Sequence, residues 1–432
     1  MSISNWGRYP KIDGKIITPQ TPSDTKLALT RGFRGIARGM GRSYGDSSLA
    51  GQMISTLRLN FILEFDETNG FLRCAAGVTL AELLEVFVPR GWFLPVTPGT
   101  KFVTVGGAIA SDVHGKNHHV EGSFCDHLNS ITLLLADGTT LRCSPLENPV
   151  LFHATCGGMG LTGIILDAAF SLKPITSVYI NETIFKATDI TETIELFAVH
   201  AATTYSVAWI DCLSGGAKLG RSLLMMGEHA QDGCLDWSRP RSLPFPFDLP
   251  NSFLNRHLVA AFNEIYYRHI RGKRVERVVP YEPFFYPLDR ILQWNRLYGS
   301  SGFTQYQLVI PQSAGWEAMR TILSDIARSQ RGSFLAVLKV FGRGNDNHLS
   351  FPMEGYTLAL DFKLSYDLFS YLDRLDRIVL DYGGRLYLSK DARMSAAMFK
   401  AGYPRWEEFM KTRCHYGAEG LFHSLQSERL GI

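Results

Sequence analysis

The sequence predicts an α+β fold built in two parts, and three observations predict it. At 432 residues the chain is too long for one simple core. Many of its 40 glycines crowd into the first 163 residues, in clusters at 32–51, 99–115 and 157–163, each beside an apolar, strand-like segment. After about Pro174 the texture changes to longer runs rich in Tyr, Phe and Trp, alternating with helical stretches such as 315–330. A formal net charge of +3, with 45% hydrophobic and 20% charged residues, fits poorly with disordered, fibrous or strongly nucleic-acid-binding classes.

The elements follow in order. Phe71 to Ala76 reads as a short strand, and Thr79 with Glu82 three residues on forms a capping box that opens a helix. Leu80, Leu83, Leu84, Phe87 and Val88 then fall on one buried stripe before Pro89 and Gly91 stop the helix. Ile131 to Ala136, Asp137-Gly138 and Thr139 to Cys143 read as a hairpin, because Asp-Gly is a strong tight-turn signal. Trp237 to Pro250 carries four prolines with Phe245 and Phe247, a composition that suits neither helix nor central strand and predicts a long, mobile surface excursion. Just beyond, 268–277 holds five Lys or Arg against Glu276, either a phosphate- or membrane-facing patch or a solvated helix end. The seven scattered cysteines never form a C-x-x-C pair and read as reduced thiols. No run approaches the ~18 apolar residues of a spanning helix, and residues 1–14 lack an apolar segment after a basic start. The expectation is a chain with neither signal peptide nor transmembrane segment.

Gly158-Met159-Gly160-Leu161-Thr162-Gly163 matches the dinucleotide fingerprint in letters but not in setting. That fingerprint needs a strand before it and a helix after it, whereas here a helical 148–155 precedes and a strand-like 164–172 follows. No P-loop string occurs either. Stronger candidates are Arg38-Gly39-Met40-Gly41-Arg42-Ser43-Tyr44-Gly45-Asp46, whose alternating glycines let backbone amides converge on an anion, and 95–100 followed by Thr104-Val105-Gly106-Gly107. Together they suit a long ligand with a diphosphate and apolar ends. His114, His118 and His119 have metal-ligand spacing, but Gly115 and Asn117 oppose a helix and no further ligand is indicated, so no metal is expected.

These loops, with 111–119 and 157–163, resemble the FAD-binding domain of the vanillyl-alcohol oxidase and p-cresol methylhydroxylase superfamily. The match is closest to the decaprenylphosphoryl-ribose oxidase subfamily, through Ala208-Trp209, 294–296, Gln305-Tyr306-Gln307, 338–342, 349–352 and 384–391. The resemblance implies an FAD-binding domain over 1–175, a substrate domain with an antiparallel sheet over 176–382, and a segment 383–432 returning to the first. It implies that Gly39, Gly41, Arg42, Ser43, Tyr44 and Gly45 wrap the diphosphate, and that Gly99, Thr104, Gly106, Gly107, Ser111, Asp112 and His114 line the rest. Ile164 and Tyr387 would complete the flavin contacts. Arg42 stands where many relatives carry a flavin-tethering histidine, and no cysteine stands near Phe102, so FAD is expected to bind noncovalently.

Oxidising a secondary alcohol requires hydride acceptance, removal of the hydroxyl proton and a positive group beside the reduced flavin. Lys390 in the matching string is the candidate for the positive group, with exposure to solvent as its plain alternative. His114 is assigned a flavin-side role, and the alternation of Gln305 and Gln307 onto one strand face would let both point at a polar substrate, with a surface position as their plain alternative. Lys339 and Lys116 are second choices for the positive group, and the resemblance implies them near a substrate phosphate; Trp209 and Phe341 are candidates to wall the sugar or to lie in the core. The family reaction implies oxidation of the 2′ hydroxyl of a polyprenylphosphoryl pentose to a keto sugar, which a separate NAD(P)H-dependent reductase then reduces. A cytoplasmic chain, or one peripheral at the inner membrane, is the expected setting. An alditol or aldonolactone oxidase and a noncatalytic flavin- or lipid-binding component are the competing readings. Phe285, Thr357 and Ala359 depart from the subfamily pattern, which expects tyrosine, asparagine and cysteine.

Overall fold

The computed structural model describes residues 2–237, 242–250 and 255–432. Its first part is built on two larger sheets. Lys15–Ile17 and Ile36–Arg38 flank Gln52–Ser55 in a parallel sheet, and the Gly-rich loop leaves it directly after Arg38. The second sheet is antiparallel, in the order Thr140–Cys143, Leu128–Leu134, Ile164–Ser171, Phe71–Ala75 and Ile62–Asp66. The helix Leu80–Phe87 carries the expected capping box, with Thr79 Oγ1 accepting from Glu82 N and the Glu82 carboxylate accepting from Thr79 N. At the hairpin turn Gly138 takes φ +80°, a conformation open to glycine at little steric cost. The 158–163 string lies between the helix Pro149–Thr155 and the strand Ile164–Ser171, the reverse of a dinucleotide fingerprint.

The second part is organised by an antiparallel eight-stranded sheet. Its order is Arg274–Pro280, Tyr179–Ala187, Ser222–His229, Tyr205–Ile210, Ala336–Phe341, Gly355–Lys363, Phe303–Pro311 and Arg385–Leu386. Period-two alternation decides which side chains meet what. Leu358 and Leu360 join Leu308, Leu338 and the apolar stripes of the helices Gly315–Ser329 and Leu368–Asp381 in one core. Burying each such leucine is worth about 1.5–3 kcal/mol. Thr357, Ala359 and Asp361 therefore face the other way, where Gln305 and Gln307 stand opposite Asp361 and Ala359.

The last strand of this sheet, Arg385–Leu386, begins the C-terminal stretch, which then crosses to the first part. Arg413 donates to the carbonyls of Leu161 and Phe422, and Phe422 forms a bridge with Gly35. Two surface expectations take a definite form. The described residues 242–250 run beside 290–296, with Leu243–Pro244 paired in parallel to Ile291–Leu292 and Leu249 N donating to Arg296 O. Trp237 packs on Tyr281, and residues 238–241, Pro240 among them, lie outside the described residues. In 268–277, Arg268, Lys273, Arg274 and Arg277 each pair with a glutamate, as a solvated face does.

Candidate flavin and substrate site

The site forms where the glycine loops of the first part meet the polar face of the large sheet. Among the described residues no protein acceptor bonds the backbone N–H groups of Gly39, Met40, Gly41, Arg42 or Ser43. Gly41 adopts φ +62°, and the loop is only half-buried, so its amides remain available to an anion. Its frame is rigid on the protein side. Tyr44 N donates to Ser389 O, and a methyl group at Gly45 would lie 1.8 Å from the carbonyl oxygen of Asp391. Arg42 stacks its guanidinium 4.0 Å above Trp6.

The second loop opens the helix Val105–Ala110, whose N-cap Thr104 accepts from Gly107 N. A Cβ built at Gly99 meets no atom within 4 Å, and one at Gly107 meets only Thr104 Oγ1 at 3.0 Å. Gly106, by contrast, packs on Ala76. Unpaired amides at 39–43 and open space over Gly99 make a cradle that fits the diphosphate and adjoining parts of FAD.

His114 is the centre of the constellation. Its Nε2 lies 3.1 Å from Gln307 Nε2 and its Nδ1 3.0 Å from Lys339 Nζ. Phe341, Phe351 and Tyr387 enclose the ring, with centroids at 4.7, 5.8 and 5.4 Å. The Tyr387 hydroxyl donates to Ser111 O, which ties this wall to the second loop. Burial, then Lys339, His118 and Lys390, hold His114 well below the ordinary imidazole range. Lys339 is pushed down to about 7 by burial and by Lys116 and Lys390. Burial lowers Lys116 and Lys390 to about 8, against the pull of Glu182 on the first and Asp361 on the second. Lys390 sits in a short 3₁₀ turn after the edge strand, its ammonium 4.1 Å over the Tyr44 ring. Lys116 donates to Phe284 O. Among the described residues none of these three lysines is ion-paired with a carboxylate.

Other predicted residues lie elsewhere. Trp209 is in register with Val337, Ala359 and Gln307, but its ring donates through Nε1 to Phe334 O and packs on Tyr266 of the helix Arg256–His269. Asp112, at φ +39°, turns its carboxylate to Asn345, Asn347, Ser350 and Cys125 N, so it binds a loop of the second part rather than lining open space. Ile164 is buried with Leu29, Phe33 and Ile54. His118 and His119 occupy a short helix, and no metal-binding group exists among the described residues. Phe285 packs among Phe93, Tyr205 and Phe284, and Thr357 donates to Leu308 O while accepting from Gln307 at 3.4 Å.

Sequence reasoning missed Asp361. Its carboxylate accepts from Gln305 Nε2 at 2.7 Å and Tyr298 OH at 3.3 Å, and burial pushes it up to about 7 against those bonds and Lys390. Continuing the alternation from Thr357 and Ala359 by one step would have reached it. Arg429 was missed as well. It pairs with Asp46 and Asp391 at 2.7 and 2.8 Å, clamping the Gly-rich loop to the residue after Lys390.

Comparison with known proteins accords with this geometry. The FAD binding domain family matches residues 19–144. Decaprenylphosphoryl-beta-D-ribose oxidase of Mycolicibacterium smegmatis is 39% identical over 453 residues, covering 100% of this chain and 97% of the relative. An uncharacterised Streptomyces coelicolor protein is 32% identical over 82% of this chain and 100% of its own length. A putative D-arabinono-1,4-lactone oxidase of Neurospora crassa is 27% identical over 40% of this chain and 32% of its own.

Proposed function

This chain belongs to the decaprenylphosphoryl-ribose oxidase family of FAD-dependent oxidoreductases, and from that membership we propose that it oxidises the 2′ hydroxyl of a polyprenylphosphoryl pentose to the keto sugar. One observation carries the reading: Lys116, Lys339 and Lys390, none of them ion-paired among the described residues, converge with His114 and Gln307 beside the unpaired amides of 39–43. Half-buried lysines without protein counter-ions favour anionic ligands, whose arrival stabilises the ammonium form.

In this reading the loop 39–45 holds the diphosphate of FAD, with Gly99, Thr104 and Gly107 along the remainder and Tyr387 and His114 on the ring side. The bound flavin supplies hydride acceptance. Lys390 places positive charge beside the ring, Lys339 and Lys116 attract the substrate phosphate, and Gln305 and Gln307 orient the sugar hydroxyls. Phe341 and Tyr387 keep water from the reacting carbon. Because Arg42 lies over Trp6 rather than offering an imidazole, FAD is held without a covalent bond. The division at residues 175 and 383 follows this separation of cofactor cradle, substrate sheet and returning strap.

The keto product calls for a separate NAD(P)H-dependent reductase to complete an epimerisation. No helix among the described residues is long and apolar enough to cross a membrane. Leu243, Phe247, Phe262 and Ile265 are nevertheless exposed on neighbouring segments, which supports peripheral contact with the bilayer that carries such a lipid.

The test is anaerobic bleaching of the purified yellow protein by polyprenylphosphoryl ribose, alditols and aldonolactones in parallel. Bleaching by the lipid-linked ribose alone is the expected result, and bleaching only by a small soluble sugar would overturn it. Lys390→Ala is expected to retain FAD and lose turnover; full turnover would remove Lys390 from the chemistry.

A further inference from the structure

Alcohol oxidation needs a group to take the hydroxyl proton, and the His114 ring does not supply one, while an anionic substrate would turn its neighbour Lys339 into the ammonium. Both ring nitrogens of His114 are engaged, one by Gln307 and one by Lys339, and three aromatic rings close over it. Asp361 differs in its spare acceptor capacity, since each carboxylate oxygen accepts only one side-chain bond. It stands on the same sheet face as Gln305, Gln307, Thr357 and Ala359. An ionised carboxylate offers about four lone-pair sites. Asp361 accepts two side-chain bonds, both from the neutral donors Gln305 and Tyr298. No ion pair within 4.0 Å holds it among the described residues. It also lines a cavity of about 370 Å³ that opens between Asn255, Arg256, Gln330, Arg331 and Ser365. That volume admits several waters, and its polar walls can hydrogen-bond them.

We propose that Asp361 is the catalytic base of this oxidase and that the cavity is its proton outlet to solvent. The proposal rests on the alcohol-oxidase reading above. The substrate O–H bond breaks toward the Asp361 carboxylate, and its electron pair becomes the new C=O bond. The carbinol C–H bond breaks with its pair, which passes as hydride to the oxidant, FAD. Asp361 then returns the proton to water in the cavity, so that each cycle starts from the carboxylate. Lys390 and Tyr44 on the cofactor side, Tyr298 and Gln305 beside it, and Arg256, Arg331 and Lys363 around the cavity are the charged, titratable and hydrogen-bonding groups that face it. A carboxyl group whose affinity for protons lies near neutrality is matched to such a task.

The test uses the holoenzyme. Asp361→Asn is expected to keep its flavin content and spectrum while flavin reduction by polyprenylphosphoryl ribose slows about 10²–10⁴-fold. The acid limb of the wild-type reduction rate, near pH 7, should vanish in this variant. Tyr298→Phe keeps the stacked ring but removes one donor to the carboxylate, so the same limb should move to higher pH. Infrared pH-difference spectra of the oxidised holoenzyme, without substrate, should show a carboxylic-acid band titrating near 7 that Asp361→Asn lacks. Should the lipid-linked ribose not reduce wild type, the substrate reading fails while the infrared result still tests Asp361. An unmoved acid limb in Tyr298→Phe, or no carboxyl band near neutrality, would overturn the proposal.

Discussion

His114 Nδ1 and Lys339 Nζ lie 3.0 Å apart, and the other side of the ring fixes which of them donates. With Gln307 donating through Nε2, His114 Nε2 is an acceptor and the ring proton sits on Nδ1. Lys339 must then accept, which it does only as the neutral amine. A lysine held near pH 7 by burial and two neighbouring lysines can adopt that form. Arrival of an anionic substrate would favour the ammonium and reverse the bond.

Gln307→Leu leaves His114 Nε2 buried without its partner. A loss of about 1–3 kcal/mol in unfolding free energy is expected, measured by urea denaturation of the FAD-loaded protein. A change below a few tenths would mean that the bond contributes nothing.

Lys339 and Asp361 should contribute to the pH dependence of substrate-free stability in two opposed windows, and the buried histidines, held low by desolvation, oppose Asp361 in the acid one. Below about 7 folded and unfolded chains both carry the Lys339 proton, so this group gives no slope. Between there and about 10.4 the unfolded chain keeps a proton that the folded one has released, and stability rises with pH. Asp361 acts earlier and in the opposite sense. From about 3.9 up to about 7 the folded chain holds a proton that the unfolded one has lost, and stability falls as pH rises. Lys339→Met should flatten part of the alkaline rise, Lys116 and Lys390 keeping the remainder, and Asp361→Asn should remove part of the acid contribution, Asp46, Asp126, Asp289 and Asp376 being raised by burial as well. Urea midpoints across pH 4 to 10 check both.

Two glycines should separate binding from folding. At Gly99 an added methyl touches nothing of the protein, so Gly99→Ala is expected to keep its thermal stability and bind FAD at least about tenfold more weakly, a cost of about 1.4 kcal/mol. At Gly45 the methyl meets the Asp391 backbone, so Gly45→Ala should lose stability outright. Flavin titration of the apoprotein and thermal melts distinguish the two. Equal loss of stability in both variants would contradict the cradle.

Arg429→Ala strands Asp46 and Asp391, both nearly fully buried. Removing one partner of such a group costs about 3–5 kcal/mol. Denaturation measures that cost, and Arg429→Lys should recover only part of it, since a lysine cannot bridge both carboxylates with a planar fork.

Much of this was legible along the chain wherever one local pattern decided the outcome. The capping box at Thr79, the Asp-Gly hairpin and the reversed order around 158–163 each depend on a few neighbouring residues, and each appears as expected. The candidate site was legible in part, because glycine loops advertise themselves through backbone freedom. Asp361, Arg429 and the Asp112 partners at 345–350 were not, because their roles come from contacts across tens to hundreds of residues. Trp209 shows the converse limit. An aromatic residue on a strand reads the same whether a sugar or a helix lies over it, and here the helix Arg256–His269 does.

The clamp at Arg429 bears on how the cofactor is acquired during biosynthesis. The Gly-rich loop is held from one side by Asn5 and Trp6, which bond Gly45 O and Ser43 O, and from the other by Arg429. The second jaw lies 383 residues beyond Asp46 along the chain, so a ribosome has made both large sheets before it exists. In the proposed reading the nascent chain offers FAD only an open half-site until Arg429 has been added, so stable loading waits on the segment that carries it.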